Sequence, residues 1–479
     1  MSRRIMIQPV TRIEGHAKIS IQLNDDGDVE SARFHVTEFR GFEKICEGRP
    51  FEEMPGLMSR VCGICPVSHV LASSKAGDML LGVTIPPAAE KQRRLVNHAQ
   101  LLQSHALSFF HLSAPDLLLG MDAPAASRSI LGLLERDEDF VRRGIRLRQF
   151  GQRVIELTGG KRVHPGWSGP GGVHQRFTTE HRDEILSWIP EAMGSVNLAL
   201  DRLKPLLDNF RDEIAHMGNF PSLFLATVNP EGGLEYYDGT IRIVDSAGNI
   251  VADGLDPTRY YTWAGEASED WSFIKFPFYR PLGYPRGHYR GGPLARLNVA
   301  RFAGTEQADR ELIEFKQRSS GAVCESFHYH LARLIEMLHA VERIEQFMSD
   351  PELFEETIRA RASLSRREGV GSCEAPRGTL FHRYWVDANG LMTKADLLIA
   401  TGQNNQAMNM TVDQTARHFI QRIAPGTQPD EGILNRLEAS IRCYDPCLSC
   451  STHALGQMPL MVEWFSPDGT ALGQIARPA

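Results

Sequence analysis

The stretch Arg60-Val61-Cys62-Gly63-Ile64-Cys65-Pro66-Val67-Ser68-His69 sets the main constraint on the fold, together with its counterpart Asp445-Pro446-Cys447-Leu448-Ser449-Cys450-Ser451-Thr452-His453 near the other end of the chain. In each stretch two cysteines are separated by two residues, and a histidine follows three or four residues later. Two intervening residues allow both thiols of a pair to bind one metal centre. We therefore expect a fold that brings opposite ends of the chain together around four thiols.

Four thiolates are soft ligands, and they suit zinc, iron–sulfur clusters, nickel or Cu(I). A structural zinc site is the ordinary interpretation of two such pairs. However, zinc ribbons separate their pairs by about 15–20 residues, and a chain of 479 residues does not need zinc to fold. A thioredoxin-like redox role would explain one pair but not two. With four further single cysteines, the pattern favours metal ligation in a reducing compartment over a disulfide framework.

The composition is that of a globular protein, with 23% charged and 42% hydrophobic residues and a net charge of -7. No lysine- or arginine-rich tract points to nucleic acid as a partner. No apolar run approaches the roughly 18 residues that a membrane span requires. The N-terminus lacks the apolar region of a secretory signal, so we expect no export signal.

Hydrophobic periodicity predicts a mainly α fold with small peripheral β-hairpins. Helices are predicted in 88–215, interrupted by a Gly- and Pro-rich loop at 164–172, and at about 306–349, 411–423 and 431–442. Strands are predicted in the first forty residues, with a turn at 24–27, in 222–300, and in a hairpin at 379–401 around Asn389-Gly390. A strand-like run at 460–465 precedes a turn at 467–469.

Five motifs occur in one order along the chain: R-I-E-G-H at 12–16, R-G-F-E at 40–43, R-x-C-G-x-C-x-x-x-H at 60–69, E-A-P-R-G at 374–378 and D-P-C-x-S-C-x-x-H at 445–453. Together they resemble the large subunit of nickel–iron hydrogenases. The resemblance implies the large-subunit fold of that family, of class α+β, with residues 1–453 as a single catalytic domain. It also implies reversible cleavage of dihydrogen to protons and electrons.

The same resemblance assigns the metal ligands. Cys62 and Cys447 would be terminal thiolates on nickel, and Cys65 and Cys450 would bridge nickel to an iron that carries carbon monoxide and cyanide. Heterolytic cleavage of H–H needs an electrophilic metal and a nearby base. The family comparison names Cys447 as the first proton acceptor and Glu14 as the next.

Other residues are assigned to the surroundings of the metals. Arg377 would stand over the diatomic ligands of the iron, oriented by Asp445 and by Asp116. Read alone, Arg377 and Asp445 would be an ordinary surface ion pair. Glu43 and His453 would bind magnesium or a similar divalent cation, together with a backbone carbonyl around Leu397. Oxygen and imidazole ligands fit such a hard ion.

Several stretches resemble the cytoplasmic NAD-reducing branch of the family: 65–69, 276–279, 292–298, 403–406 and 452–460. Relatives that use NADP, sulfur or a deazaflavin coenzyme share much of this pattern. The resemblance implies a small iron–sulfur subunit that receives the electrons and flavin- and iron–sulfur-bearing diaphorase subunits that reduce NAD⁺. The chain has no G-x-G-x-x-G after a predicted strand, which agrees with NAD binding on another subunit.

The family also implies that a maturation endopeptidase cuts between His453 and Ala454, which would remove residues 454–479; the plain alternative is an ordinary final strand. Cys373 and Cys443 depart from the family pattern. If both thiols lay near the metals, they would compete for nickel or oxidise, which bears on oxygen tolerance and not on the family assignment. Three rival interpretations are a Complex I-type subunit, a hydrogen sensor and a zinc-stabilised scaffold. The first class lacks the four cysteines, the second usually lacks the tail, and metal content separates the third.

Overall fold

A computed structural model describes residues 3–38, 41–420, 429–451, 460–466 and 471–477. Helices dominate, which confirms the mainly α class. The longer helices are Pro66–Leu81, Pro87–Ala106, Glu138–Gly159, Thr179–Leu206, Glu306–Lys316, Tyr329–Met348, Asn405–Phe419 and Glu431–Arg442. Shorter ones are Phe42–Ile45, Met54–Met58, Ala114–Leu119, Ile130–Arg136, Arg211–His216, Tyr260–Trp263, Pro293–Val299, Ala400–Gln403 and Leu448–Ser451. None of the helices in the described ranges is both long enough and apolar enough to span a membrane.

The strands form small sheets. One has the order Arg3–Ile7, Ala17–Leu23, Val29–Val36; another the order Glu368–Ala375, Gly378–Val386, Met392–Leu398; and a third the order Tyr289–Arg290, Leu223–Val228, Thr240–Val244, Ile250–Leu255. Three strand pairs are Ala264–Glu269 with Ser272–Tyr279, Ser168–Gly169 with Gly172–Val173, and Leu460–Phe465 with Ala471–Arg477. Both predicted hairpins, near the N-terminus and around Asn389-Gly390, are present, and so is the strand at 460–465; its predicted turn at 467–469 lies outside the described residues.

The helix predicted over 306–349 is two helices, with an irregular segment at 317–328 between them. Here the chain leaves the helix to pack on a surface turn: the N–H of Ala322 donates to the carbonyl of Ser246 at 3.1 Å. The predicted helix at 411–423 begins earlier, at Asn405, and residues 421–423 lie outside the described part of the chain. The break within 306–349 coincides with a contact between segments that are distant in sequence, which periodicity does not detect.

The sheet 368–398 is not peripheral, because almost every residue of its first strand is buried against the helix Pro66–Leu81. Glycine makes this close approach feasible. A Cβ atom at Gly371 would overlap the carbonyl oxygen of Ala72, and one at Gly369 would overlap that of Ala76. The helix begins directly after Cys65, and the strand leads to Arg377. This contact therefore fixes the position of Arg377 relative to the first cysteine pair.

Candidate metal centre

The four sulfurs from the two ends of the chain form one buried cluster. The Sγ atom of Cys447 lies 3.0 Å from that of Cys62 and 3.0 Å from that of Cys450, and the Sγ atoms of Cys65 and Cys450 are 3.3 Å apart. All four sulfurs lie within 4.8 Å of one another. All eight cysteines lie in the described ranges, and none of them is in a disulfide. The convergence predicted from the two C-x-x-C stretches is thus a feature of the structure.

The first cysteine pair is held from a neighbouring helix. Cys62 follows a short 3₁₀ turn, and Cys65 precedes Pro66, the first residue of the helix Pro66–Leu81. Between the cysteines, the carbonyl of Ile64 accepts hydrogen bonds from the side chains of Gln100 at 2.8 Å and Gln103 at 2.7 Å. The sequence did not identify these two glutamines, because a helical pattern does not show which distant group a glutamine side chain will hydrogen-bond.

The second pair is tied to the N-terminal segment. The N–H of Leu448 donates to the carbonyl of Glu14 at 3.2 Å, so that Glu14 forms a parallel bridge with Cys447. The N–H of Cys447 donates to the hydroxyl of Thr401 at 3.1 Å. Cys450 lies in the helical turn Leu448–Ser451. Because the R-I-E-G-H motif pairs with the cysteine loop through its backbone, both motifs belong to one site.

The chemistry of the four thiols suits a soft cation. Hydrogen bonds from Cys447 and Cys450 lower the pKa of Cys65 well below that of an ordinary thiol. Burial raises the pKa values of Cys447 and Cys450, and contact with the other sulfurs raises that of Cys447 further. Four buried thiols in contact cannot all ionise without a compensating positive charge. A thiolate-binding metal supplies that charge, so the donor set fits a metal centre.

Arg377 lies beside the sulfurs and is fixed by Asp445. Its Nε donates to the carbonyl of Asp445 at 2.6 Å, its Nη1 donates to the hydroxyl of Ser104 at 3.0 Å, and its Nη2 is 2.8 Å from Oδ2 of Asp445. Burial opposes the charge of Arg377, but Asp445 and Cys447 outweigh it and raise its pKa. The contact at Nη2 is an ion pair without hydrogen-bond alignment, which leaves this donor available to a further acceptor.

The turn that carries Arg377 rests on a buried ionic network. Arg296 donates to the carbonyls of Ala375 at 2.9 Å and Pro376 at 3.1 Å, and to the carboxylate of Glu374 at 2.8 Å. Glu336 pairs with the same guanidinium, and all three ionic side chains are fully buried. The stretch 403–406 also contributes, since the side chain of Asn404 donates to the carbonyl of Arg377 at 3.2 Å.

Asp116 does not orient Arg377, contrary to the sequence prediction. Its carboxylate lies 2.5 Å from Nη2 of Arg12 and 2.9 Å from Nε of Arg442, and it accepts a hydrogen bond from Asn435 at 3.1 Å. Burial opposes ionisation of Asp116, but the two arginines lower its pKa on balance. Asp116 therefore joins the R-I-E-G-H segment to the helix before the second cysteine pair.

Glu14 begins a chain of hydrogen-bonding groups that reaches the surface. Its carboxylate accepts hydrogen bonds from the N–H of Ser449 at 3.1 Å and from the Ser449 hydroxyl. That hydroxyl lies 3.4 Å from Glu38, whose other oxygen is 2.5 Å from Nδ1 of His16. The side chain of His16 is 75% exposed, so the chain of contacts ends in solvent. Sequence reasoning did not identify Ser449 or Glu38.

Glu43 is buried next to the backbone of an edge strand. Its Oε1 accepts a hydrogen bond from the N–H of Leu397 at 3.0 Å. Burial raises the pKa of Glu43 to about 7. The third predicted cation ligand, His453, lies outside the described residues. The described part of this site therefore offers one buried carboxylate beside Leu397, which suits a hard cation.

Comparison with known proteins points to one family. The family description "nickel-dependent hydrogenase" matches residues 40–129 and 236–453, and the description "HoxL-like" matches residues 4–39. The chain is 42% identical to the NAD-reducing hydrogenase HoxS subunit beta of Cupriavidus necator, with 100% of both chains covered.

Solved structures agree with this result. A crystal structure of NAD⁺-reducing [NiFe]-hydrogenase in the H₂-reduced state has a TM-score of 0.91 and 43% identity, and covers 94% of this chain and 99% of that chain. The Ni-Fe-Se hydrogenase from D. vulgaris Hildenborough has a TM-score of 0.76 at 23% identity, with 95% of this chain and 100% of that chain covered. This second likeness concerns the fold alone.

Proposed function

The chain belongs to the nickel-dependent hydrogenase family, and we propose that it cleaves dihydrogen reversibly into protons and electrons at a nickel–iron centre held by its four clustered cysteines. The observation that carries this proposal is the single buried group of four sulfurs with an unaligned guanidinium donor of Arg377 beside it. Cys62 and Cys447 would bind nickel alone, and Cys65 and Cys450 would bridge nickel to an iron with carbon monoxide and cyanide ligands. When bound, this centre supplies the electrophile that polarises H–H.

Residues of the protein accept the proton released by dihydrogen cleavage and carry it to the surface. We infer that the thiolate of Cys447 accepts it first, because this sulfur contacts both Cys62 and Cys450. Glu14 follows, since it pairs with the backbone of Cys447. The proton then leaves by way of Ser449, Glu38 and the exposed His16, whose polar atoms lie within hydrogen-bond distance of one another.

Arg377 stabilises negative charge at the centre. Its guanidinium is held by Asp445 and Ser104, and the remaining donor at Nη2 is positioned for an anionic ligand such as cyanide. Hydrogen bonds from a fixed, desolvated guanidinium are stronger than hydrogen bonds from water.

Separately, we propose that Glu43, His453 and a backbone carbonyl around Leu397 hold magnesium or a similar cation. The buried carboxylate of Glu43 supports this assignment.

The electrons leave through a small iron–sulfur subunit and reduce NAD⁺ on flavin-bearing diaphorase subunits. The support is the full-length similarity to a subunit of an NAD-reducing hydrogenase and the match to an NAD⁺-reducing [NiFe]-hydrogenase structure. We also propose that the reaction takes place in the cytoplasm, where NAD⁺ is available. Residues 454–479 would be removed by a maturation endopeptidase after metal insertion, and residues 1–453 would form the mature catalytic domain.

Infrared spectroscopy and metal analysis of the chain purified with its small subunit test the proposal. We expect one carbonyl band and adjacent cyanide bands that shift under hydrogen, with one nickel ion and iron present. Hydrogen-dependent NAD⁺ reduction by the complete assembly tests the electron acceptor. If zinc were the only metal and the carbonyl and cyanide bands were absent, the hydrogenase proposal would give way to a structural zinc site.

A further inference from the structure

Arg333 is a buried cation with no ion-pair partner among the described residues. It lies on the helix Tyr329–Met348 and is only 1% exposed. Its Nη2 donates to the carbonyl of Cys443 at 2.5 Å, but neither Nε nor Nη1 has a hydrogen-bond partner in the part of the chain that the structure describes. An arginine side chain keeps its charge even when buried. A full positive charge therefore stands in the interior with two donors unused.

The groups around Arg333 do not balance this charge. Asp445 is the carboxylate whose charge acts on it most strongly, yet Asp445 already forms an ion pair with Arg377. The nearby thiol of Cys443 stays neutral, since burial raises its pKa to about 12. His330 is neutral as well, because burial lowers its pKa to about 3. The charge of Asp445 thus acts on two guanidinium groups, although only that of Arg377 lies within ion-pair distance of it.

Other fully buried arginines in the described chain have both terminal nitrogens hydrogen-bonded. Arg296 faces the carboxylates of Glu336 and Glu374. Arg290 donates to two backbone carbonyls, those of Cys324 and Phe220, and to the hydroxyl of Ser326. Isolated charge in the protein interior is strongly unfavourable unless it is paired. Arg290 has no carboxylate partner either, but both of its terminal nitrogens are hydrogen-bonded, whereas Arg333 leaves Nε and Nη1 without a partner among the described residues. This difference at Arg333 points to a further anion in this region, and the four-cysteine cluster beside Arg377 is where one would be bound.

We propose that Arg333 is a positioning residue whose charge, together with Arg377, balances a negatively charged metal centre through Asp445. This inference rests on the proposed function. Four thiolates and two cyanides outweigh the charge of two divalent metal ions, so such a centre is an anion. The charge of Asp445 then acts on two cations, and its ion pair with Arg377 holds that guanidinium beside the centre. Arg333 accordingly acts on the centre through Asp445 and through the electrostatic field of its own positive charge.

Infrared spectra of Arg333→Met, purified with the small subunit, test the proposal. Methionine fills much of the space but carries no charge. Because a positive charge near the centre is lost, the iron becomes richer in electrons and donates more electron density to its carbonyl and cyanide ligands. We expect carbonyl and cyanide bands at lower wavenumber than in the wild type, and less nickel per chain. Arg333→Lys should retain bands near those of the wild type. The control Arg343→Met removes a partly buried arginine from the same helix and should leave the bands unchanged.

Each outcome decides the proposal. Wild-type bands and full nickel content in Arg333→Met would overturn it. If Arg333→Met gives no folded protein, Arg333→Lys decides: a folded lysine variant with the wild-type bands supports a role of charge, and one with displaced bands contradicts it. Absence of the bands from the wild type, with zinc bound, would overturn the proposed function itself and is therefore a distinguishable result.

Discussion

The carboxylate of Glu14 accepts two hydrogen bonds from Ser449, one from its main-chain N–H at 3.1 Å and one from its hydroxyl. Ser449 directly precedes Cys450 and lies two residues after Cys447. The carboxylate at the N-terminal end of the chain is therefore held by the same loop that presents two of the sulfurs. In the proposed mechanism, this contact makes Glu14 the group that receives the proton after Cys447.

Replacement of Glu14 by glutamine should remove proton transfer while it leaves the metals in place. The amide can still accept from Ser449, but it does not take up a proton. We expect hydrogen oxidation to fall by roughly a hundredfold or more, since a positioned acid–base group contributes at least that factor. The measurement is the oxidation rate per nickel bound. Glu14→Asp should recover part of the rate, and an unchanged rate in Glu14→Gln would exclude this residue from the relay.

Replacement of Cys447 by serine should abolish nickel binding. A serine hydroxyl does not provide the soft anionic ligand that nickel receives from thiolate, and this sulfur contacts two others of the cluster. Elemental analysis of the purified protein measures the effect. The control is Cys46→Ser, a buried thiol that instead donates to the carbonyl of Phe42; nickel content should be retained there. Loss of nickel from both variants would show that the effect is not specific to the cluster.

Replacement of Asp116 by asparagine should reduce stability because the buried Arg442 and the half-buried Arg12 lose an anionic partner. Removal of one partner from a buried ion pair costs about 3 kcal/mol of the free energy of unfolding. A lower melting temperature of the purified chain is the expected result. In the exposed pair of Arg142 and Glu138, Glu138→Gln should change stability by less than about 1 kcal/mol. Equal melting temperatures for Asp116→Asn and wild type would refute a structural role.

Replacement of Glu43 by glutamine should lower the content of magnesium or of an equivalent cation. The amide offers one neutral oxygen in place of a buried carboxylate, and hard divalent ions prefer charged oxygen ligands. Metal analysis after dialysis measures the loss. Glu47→Gln, in an exposed i,i+3 pair with Lys44, serves as the control and should keep the wild-type content. Full cation content in Glu43→Gln would remove Glu43 from the proposed site.

Buried histidines should make the protein less stable as the pH falls below neutrality. Burial lowers the pKa values of His330 and His339 from 6.5 to about 3. Between these values the unfolded chain binds more protons than the folded chain, so the free energy of unfolding decreases as the pH is lowered. The melting temperature should therefore be lower at about pH 5 than at about pH 7. His330→Gln should reduce the difference; a larger or equal difference would contradict this assignment.

The sequence determined the elements whose signal is local. The alternation of apolar residues at 19–36 specified a hairpin, because strand residues alternate between two faces. Similarly, Asn389-Gly390 marked a turn, and the spacing within each C-x-x-C stretch specified convergent thiols. The five ordered motifs were sufficient to identify the family, since each is a short contiguous run.

Only the tertiary structure decided how distant side chains pair. Asp116 binds Arg12 and Arg442 instead of Arg377, and Ser449 proved to be the partner of Glu14. The helical pattern at 306–349 was interrupted where the chain packs on a distant turn. Burial and side-chain direction depend on all the segments that meet at a point, and a linear pattern does not record them. The same reason applies to Arg333, because its lack of an ion-pair partner among the described residues is evident only from the positions of the neighbouring segments.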